Sequence, residues 1–207
     1  MESSNEPPSF ATETLEQKFA QLLIVAEFCL QARAITPILV LIYSAIDVAG
    51  WLYAANPTAS TKTRFTDWVA RYLLPAGNFD CSAPELYGAR CGLVHNFTAA
   101  SDLSRQLKVR EILYAWGDSD IENLREMTKI ANFQIPGRQP TVQYTAIRIE
   151  ELISAFREGL WRFFDDARID ARLGARVVER SGKVLSTVSI QEVAALAGWV
   201  KKRLKDS

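Results

Sequence analysis

Apolar residues recur at helical spacing along most of this chain. Phe19, Leu22, Leu23, Ala26 and Leu30 form a broad stripe. It predicts a helix opening near Glu13, capped by Thr12 or Thr14, with Glu16 or Gln17 in its first turn. Thr36-Pro37 restarts the chain as a second, almost wholly apolar helix, because proline is tolerated in a first turn. Asn56-Pro57 ends it. Ser60 and Thr61 open a third helix through Phe65, Trp68, Val69, Tyr72 and Leu73, stopped by Pro75 and Gly77. A short loop then leads into a helix with Pro84 in its first turn and Arg90 and His95 further along.

The second half is more mixed. Residues 108–116 have the β-branched and aromatic content of a strand. Asp118 or Ser119 is the expected cap of a helix reaching Ala131, and 134–141, with two prolines and a glycine, reads as a loop. A long amphipathic helix is expected over 145–168, with Ile149, Leu152, Ile153, Phe156, Leu160 and Phe163-Phe164 facing inward. Residues 176–188, broken at Ser181-Gly182, suggest a small hairpin. A last helix is expected over 190–204, its basic end favourable to the helix dipole. These elements predict a mainly α helical bundle with little β structure. Residues 1–11 are expected to be disordered, 12–170 to form the helical domain, and 171–207 to pack on it as a hairpin and helix appendage.

Charge and cysteine usage narrow the function. Lysine plus arginine equal aspartate plus glutamate at 24 each, so the net charge is zero. That argues against a protein that coats nucleic acid through bulk charge, while leaving room for a local basic pocket. Cys29, Cys81 and Cys91 are odd in number without C-x-x-C spacing, and with one histidine they form no zinc signature. No metal or other cofactor is expected. A cytoplasmic location is, given three scattered thiols and an acidic N-terminus unlike a signal peptide. From 34 to 55 the only charge is Asp47. A carboxylate mid-span is costly in lipid, so this segment is expected to be a bundle's central helix rather than a membrane span.

The candidate chemistry centres on the single histidine, His95, five residues after Arg90. Imidazole can take and give a proton near neutrality, and a guanidinium is shaped to grip phosphate. Together they suggest phosphodiester chemistry. The alternative is that His95 merely satisfies a helix end. Cys91, four residues before His95, raises the further alternative of a thiolate and its base. Asp47, alone on its apolar helix, needs a partner: Arg90 or His95 on one reading, Arg33, Arg64 or Arg71 on the other. Tyr87, one turn before Arg90, is a candidate for base stacking or simply for the core. Asn96 offers a polar contact beside His95.

Arg90-Cys-Gly-Leu-Val-His95 resembles the arginine, four-to-six residues, histidine motif of the HEPN (higher eukaryotes and prokaryotes nucleotide-binding) superfamily. The motif follows an apolar helix containing Leu39-Val-Leu-Ile-Tyr-Ser-Ala-Ile-Asp47 and an aromatic helix containing Arg64-Phe-Thr-Asp-Trp68, an order similar to that family's bundle. The resemblance covers roughly residues 12–165. It implies a homodimer in which two such helices face each other and line one cleft. It also implies a metal-independent endoribonuclease, a possible toxin or defence effector. His95 would serve the ribose 2′-hydroxyl or the leaving 5′-oxygen, and Arg90 the scissile phosphate, giving 2′,3′-cyclic phosphate ends. An antitoxin or other protein partner fits the same resemblance. Cys91 departs from the family, whose residue after the arginine is often Asn or Asp. A non-catalytic dimeric module binding RNA, a nucleotide or a protein therefore stands beside the nuclease reading.

Overall fold

The computed structural model describes residues 14–96, 101–117, 120–133, 142–184 and Ala197. It is mainly α, as the periodicity predicts. Helix α1 (Leu15–Gln31) is capped by Thr14, whose hydroxyl accepts from Gln17 N while Gln17 reaches back to Thr14 N. Helix α2 (Ile35–Tyr53) follows a tight turn and runs through the middle of the bundle, against α1 and four later helices. It is long and apolar enough to cross a membrane by composition, and half of it is buried against its neighbours. Helix α3 (Thr61–Trp68) is capped by Ser60 and continues through one wider π-type turn, Val69–Leu73, before a single 3-10 turn ends at Gly77.

Helix α4 (Ala83–Asn96) carries the candidate motif, and a one-turn helix α5 (Asp102–Arg105) follows. Strand β1 (Glu111–Ala115) lies within the stretch the sequence predicts. Asp120 caps α6 (Ile121–Ala131); the expected caps Asp118 and Ser119 lie outside the described residues. Strand β2 (Tyr144–Arg148) then pairs with β1 in parallel, Glu111 opposite Tyr144 and Ala115 opposite Arg148.

Helix α7 (Ile149–Ile169) returns along α1 in the opposite direction. Arg168 meets Glu16 at 2.7 Å and Arg157 meets Glu27. Helix α8 (Ala171–Ser181) closes the described part, packed on α7 and α2.

Two expectations are corrected. Residues 144–148 are strand rather than the start of the long helix. The side-chain amide of Asn132 donates to Tyr144 O and accepts from Tyr144 N, both at 2.7 Å, as a neighbouring strand would. The predicted hairpin is helix over its first half: α8 reaches Ser181, with Asp170 accepting from Arg172 N and Leu173 N. The rest of the hairpin, the 134–141 loop, the helix expected over 190–204 apart from Ala197, and residues 1–11 lie outside the described residues.

The core is aromatic. Trp68, Tyr43, Phe65, Phe156 and Phe163 are fully buried. Trp68 packs on Phe156 at 5.9 Å between centroids, and Tyr72 meets Phe163 edge-on at 5.5 Å. Two glycines let backbones approach: a Cβ on Gly50 would lie 2.6 Å from Arg64 O, and one on Gly159 would lie 2.6 Å from Tyr72 O. Each neighbour is main chain and cannot swing aside. Gly50→Ala and Gly159→Ala are each expected to destabilise by about 1–3 kcal/mol through overpacking. Urea unfolding checks this: a lowered midpoint with an unchanged slope is the expected result.

Candidate functional site

Asp47 lies past the middle of α2, in the most apolar segment of the chain, and the structure places Arg90 of α4 against it. Arg90 Nε and Nη2 both donate to Asp47 Oδ2, at 2.8 and 2.7 Å. The pair is largely sheltered, with side-chain exposures of 14% and 21%. Burial works against the Arg90 charge, but the Asp47 carboxylate outweighs it, so the pKa of Arg90 is raised and the guanidinium stays cationic. The alternative partners of Asp47 are engaged elsewhere. Arg71 faces Asp166 at 3.5 Å, Arg64 donates to Thr61 at 3.3 Å, and Arg33 lies over Trp116.

Tyr87, one turn before Arg90, packs edge-on against Phe65 with centroids 5.6 Å apart. Burial raises its phenol pKa, and a hydrogen bond with Cys91 adds to the shift. Cys91 also sits within hydrogen-bonding reach of Arg90. Tyr87 therefore belongs both to the aromatic packing and to the edge of the Asp47–Arg90 cluster. His95 and Asn96 form the last turn of α4, five and six residues beyond Arg90. Their side chains lie outside what the structure describes.

Two features that hold this helix were not anticipated from the sequence. One is Tyr43, a turn before Asp47 on α2, whose hydroxyl hydrogen-bonds that of Tyr114 on β1. Burial pushes both phenols well above their ordinary pKa, so they stay neutral. Cys81 is nearby, its thiol pushed up to about 12 by burial and then by Glu85. Spacing offered a signal here, because Tyr43 and Asp47 are four apart and share one face of an otherwise apolar helix.

The other is the start of α4. Glu85 accepts from Ser82 N at 2.7 Å and from the Ser82 hydroxyl at 3.0 Å, the reverse half of a capping box. Arg110 clamps the same carboxylate through Nε at 2.6 Å and Nη2 at 3.2 Å, and its Nη2 also donates to Asp80 O. Reading the sequence assigned no role to Glu85 or to Arg110.

The described residues place a phenol and a thiol, Tyr87 and Cys91, beside Asp47–Arg90. Among the described residues no three His, Cys, Asp or Glu side chains cluster to hold a metal ion. The arrangement supplies a fixed guanidinium on the helix that ends in the only histidine of the chain. No protein-family model matches this chain, and neither a curated protein nor a solved structure matches it.

The Glu85 anchor has a pH signature. Burial alone would raise its pKa, but the hydrogen bonds from Arg110 and Ser82 prevail and hold it below the usual carboxylate value. Its stabilising effect is therefore complete above the unfolded-state pKa of about 4.3, and is lost as pH falls through the lower folded value. Stability measured by denaturant at a series of pH values should drop below about pH 4.3 in the wild type. Glu85→Gln is expected to lower stability at pH 7 and to flatten that acid limb.

Proposed function

We propose that this chain is a HEPN-like, metal-independent endoribonuclease that acts as a homodimer, a toxin or defence effector in the cytoplasm. The observation that carries the reading is the Asp47–Arg90 pair. A guanidinium kept charged and oriented by a sheltered carboxylate is suited to hold a phosphate that arrives at α4. Asp47 is then a positioning residue for Arg90. His95, five residues on, takes the proton from the ribose 2′-hydroxyl or gives one to the leaving 5′-oxygen. The attacking oxygen and the phosphate sit on the same ribonucleotide, so the product is a 2′,3′-cyclic phosphate and a free 5′-hydroxyl. Asn96, next to His95 in the sequence, and Tyr87, one turn before Arg90, are the supporting residues of this reading. Neither a metal nor an organic cofactor takes part in this chemistry.

A second reading is favoured by one detail of the same pair. Two N–H groups of Arg90 are already spent on Asp47, and Cys91 occupies the position after the arginine. On that reading α4 is a binding surface for RNA, a nucleotide or a protein partner such as an antitoxin.

Purified protein is expected to cleave RNA in EDTA, leaving 2′,3′-cyclic phosphate ends. Arg90→Ala and His95→Ala should each lower the rate by about a hundredfold or more, with circular dichroism confirming that the variants fold. Asp47→Asn should shift activity less than Arg90→Ala, and Cys91→Ser should leave it intact. Cleavage that survives in both the Arg90 and His95 variants removes this mechanism. Failure of the wild type to cleave any RNA while still binding it supports the second reading.

A further inference from the structure

The carboxyl ends of β1 and β2 bring together an indole and two guanidinium groups. Trp116 directly follows β1 and keeps 41% of its surface exposed. The Arg33 guanidinium lies over it, 5.3 Å from the ring centroid. Arg33 is held there by its backbone: it has φ 58°, left-handed for a non-glycine residue, in the turn between α1 and α2. That turn is closed by Arg33 N to Leu30 O at 2.9 Å and Ala34 N to Cys29 O at 2.8 Å.

The other side of the cluster is also fixed. Gly117, with φ 85°, donates its N–H to Glu150 Oε1 at 2.6 Å. Glu150 Oε2 lies 3.4 Å from Nε of Arg148, the last residue of β2, whose side chain is 36% exposed. Arg148 thus stands against a carboxylate that is already hydrogen-bonded to the main chain beside Trp116. An exposed indole with one guanidinium over it, and a second arginine at the end of the paired strand opposite Ala115, offers a base-stacking group and phosphate donors at one end of the sheet.

We propose that Trp116, Arg33 and Arg148 form a binding subsite for single-stranded RNA, with a base stacked at Trp116 and the flanking phosphates held by the two arginines. The inference rests on the ribonuclease reading and extends it to how substrate is gripped away from the cleaved bond. Arg33 lies two residues before Ile35, where α2 starts, and Asp47 lies twelve residues further along the helix, so the helix end beside the subsite stands about 18 Å along its axis from Asp47. The subsite therefore engages nucleotides remote from the reacting phosphate, and a dinucleotide is too short to reach both places.

The test uses the full chain in two assays. Binding of a fluorescein-labelled single-stranded 12-mer RNA is followed by anisotropy in the His95→Ala background. Cleavage of the 12-mer and of a dinucleotide is compared in the otherwise wild-type chain. Trp116→Ala is expected to weaken 12-mer binding about tenfold, and to raise its KM while leaving dinucleotide cleavage unchanged. Trp116→Phe should retain most of the affinity. Arg33→Gln and Arg148→Gln should each reduce the slope of log affinity against log salt by about one. Unchanged 12-mer binding in Trp116→Ala and Arg33→Gln overturns the subsite. So does an equal loss of dinucleotide cleavage, which marks a structural defect. If the wild type cleaves neither substrate but binds the 12-mer through Trp116, the subsite stands and the ribonuclease reading fails.

Discussion

The contact on which this architecture turns is the meeting of Asp47 and Arg90 across α2 and α4. Helix α2 is apolar almost throughout, and a carboxylate there costs several kcal/mol unless it is paired. Its pairing with Arg90 sets the rotation and the height of α4 against the central helix. Tyr43, on the same face one turn earlier, does the same for β1 through Tyr114. A shift of α2 by one turn would leave both polar groups facing apolar side chains. A polar strip of two residues therefore registers a helix on one side and a strand on the other, while the aromatic core supplies cohesion without direction.

The far end of α2 is governed by a different buried cation. Arg180 of α8 is 6% exposed, donates to Ala54 O at 2.8 Å and to Trp51 O, and lies over the Trp51 ring. Its charge is met by the carbonyl groups that the end of a helix leaves unsatisfied and by the negative end of the helix dipole. This explains why α8 is continuous where the sequence suggests a hairpin. Once Leu173 and Arg180 both face α2 and α7, helical spacing places them on one side.

Helices were legible wherever a cap and an apolar stripe coincided, as at Thr14 and Ser60. The candidate site was half legible. A lone acid on an apolar helix announces that it needs a cation, yet four arginines and a histidine compete for it in sequence and only packing chooses Arg90. Strand β2 was hidden for a physical reason. Residues 144–149 read without a break into the amphipathic stripe of α7, and what holds them extended is Asn132 and the parallel neighbour β1, both distant in sequence. Trp116 and Arg33 were hidden similarly, since 83 residues separate them and a left-handed turn sets the approach.

The geometry of α4 bears on how the proposed reaction would be assembled. Positions 90 and 95 lie about 7.5 Å apart along an ideal helix and about 140° apart around it. Asp47 draws Arg90 toward α2, so the two positions do not share a face from which one phosphodiester could be served. In the proposed homodimer that difficulty would be removed if Arg90 of each copy served the histidine of the other. The zero net charge of the chain puts little long-range repulsion in the way of such pairing. The Asp47–Arg90 bond sharpens that requirement: a guanidinium free to swing could bend back along its own helix, whereas one fixed by a sheltered carboxylate would have to be met where it stands by the phosphate of the proposed reaction.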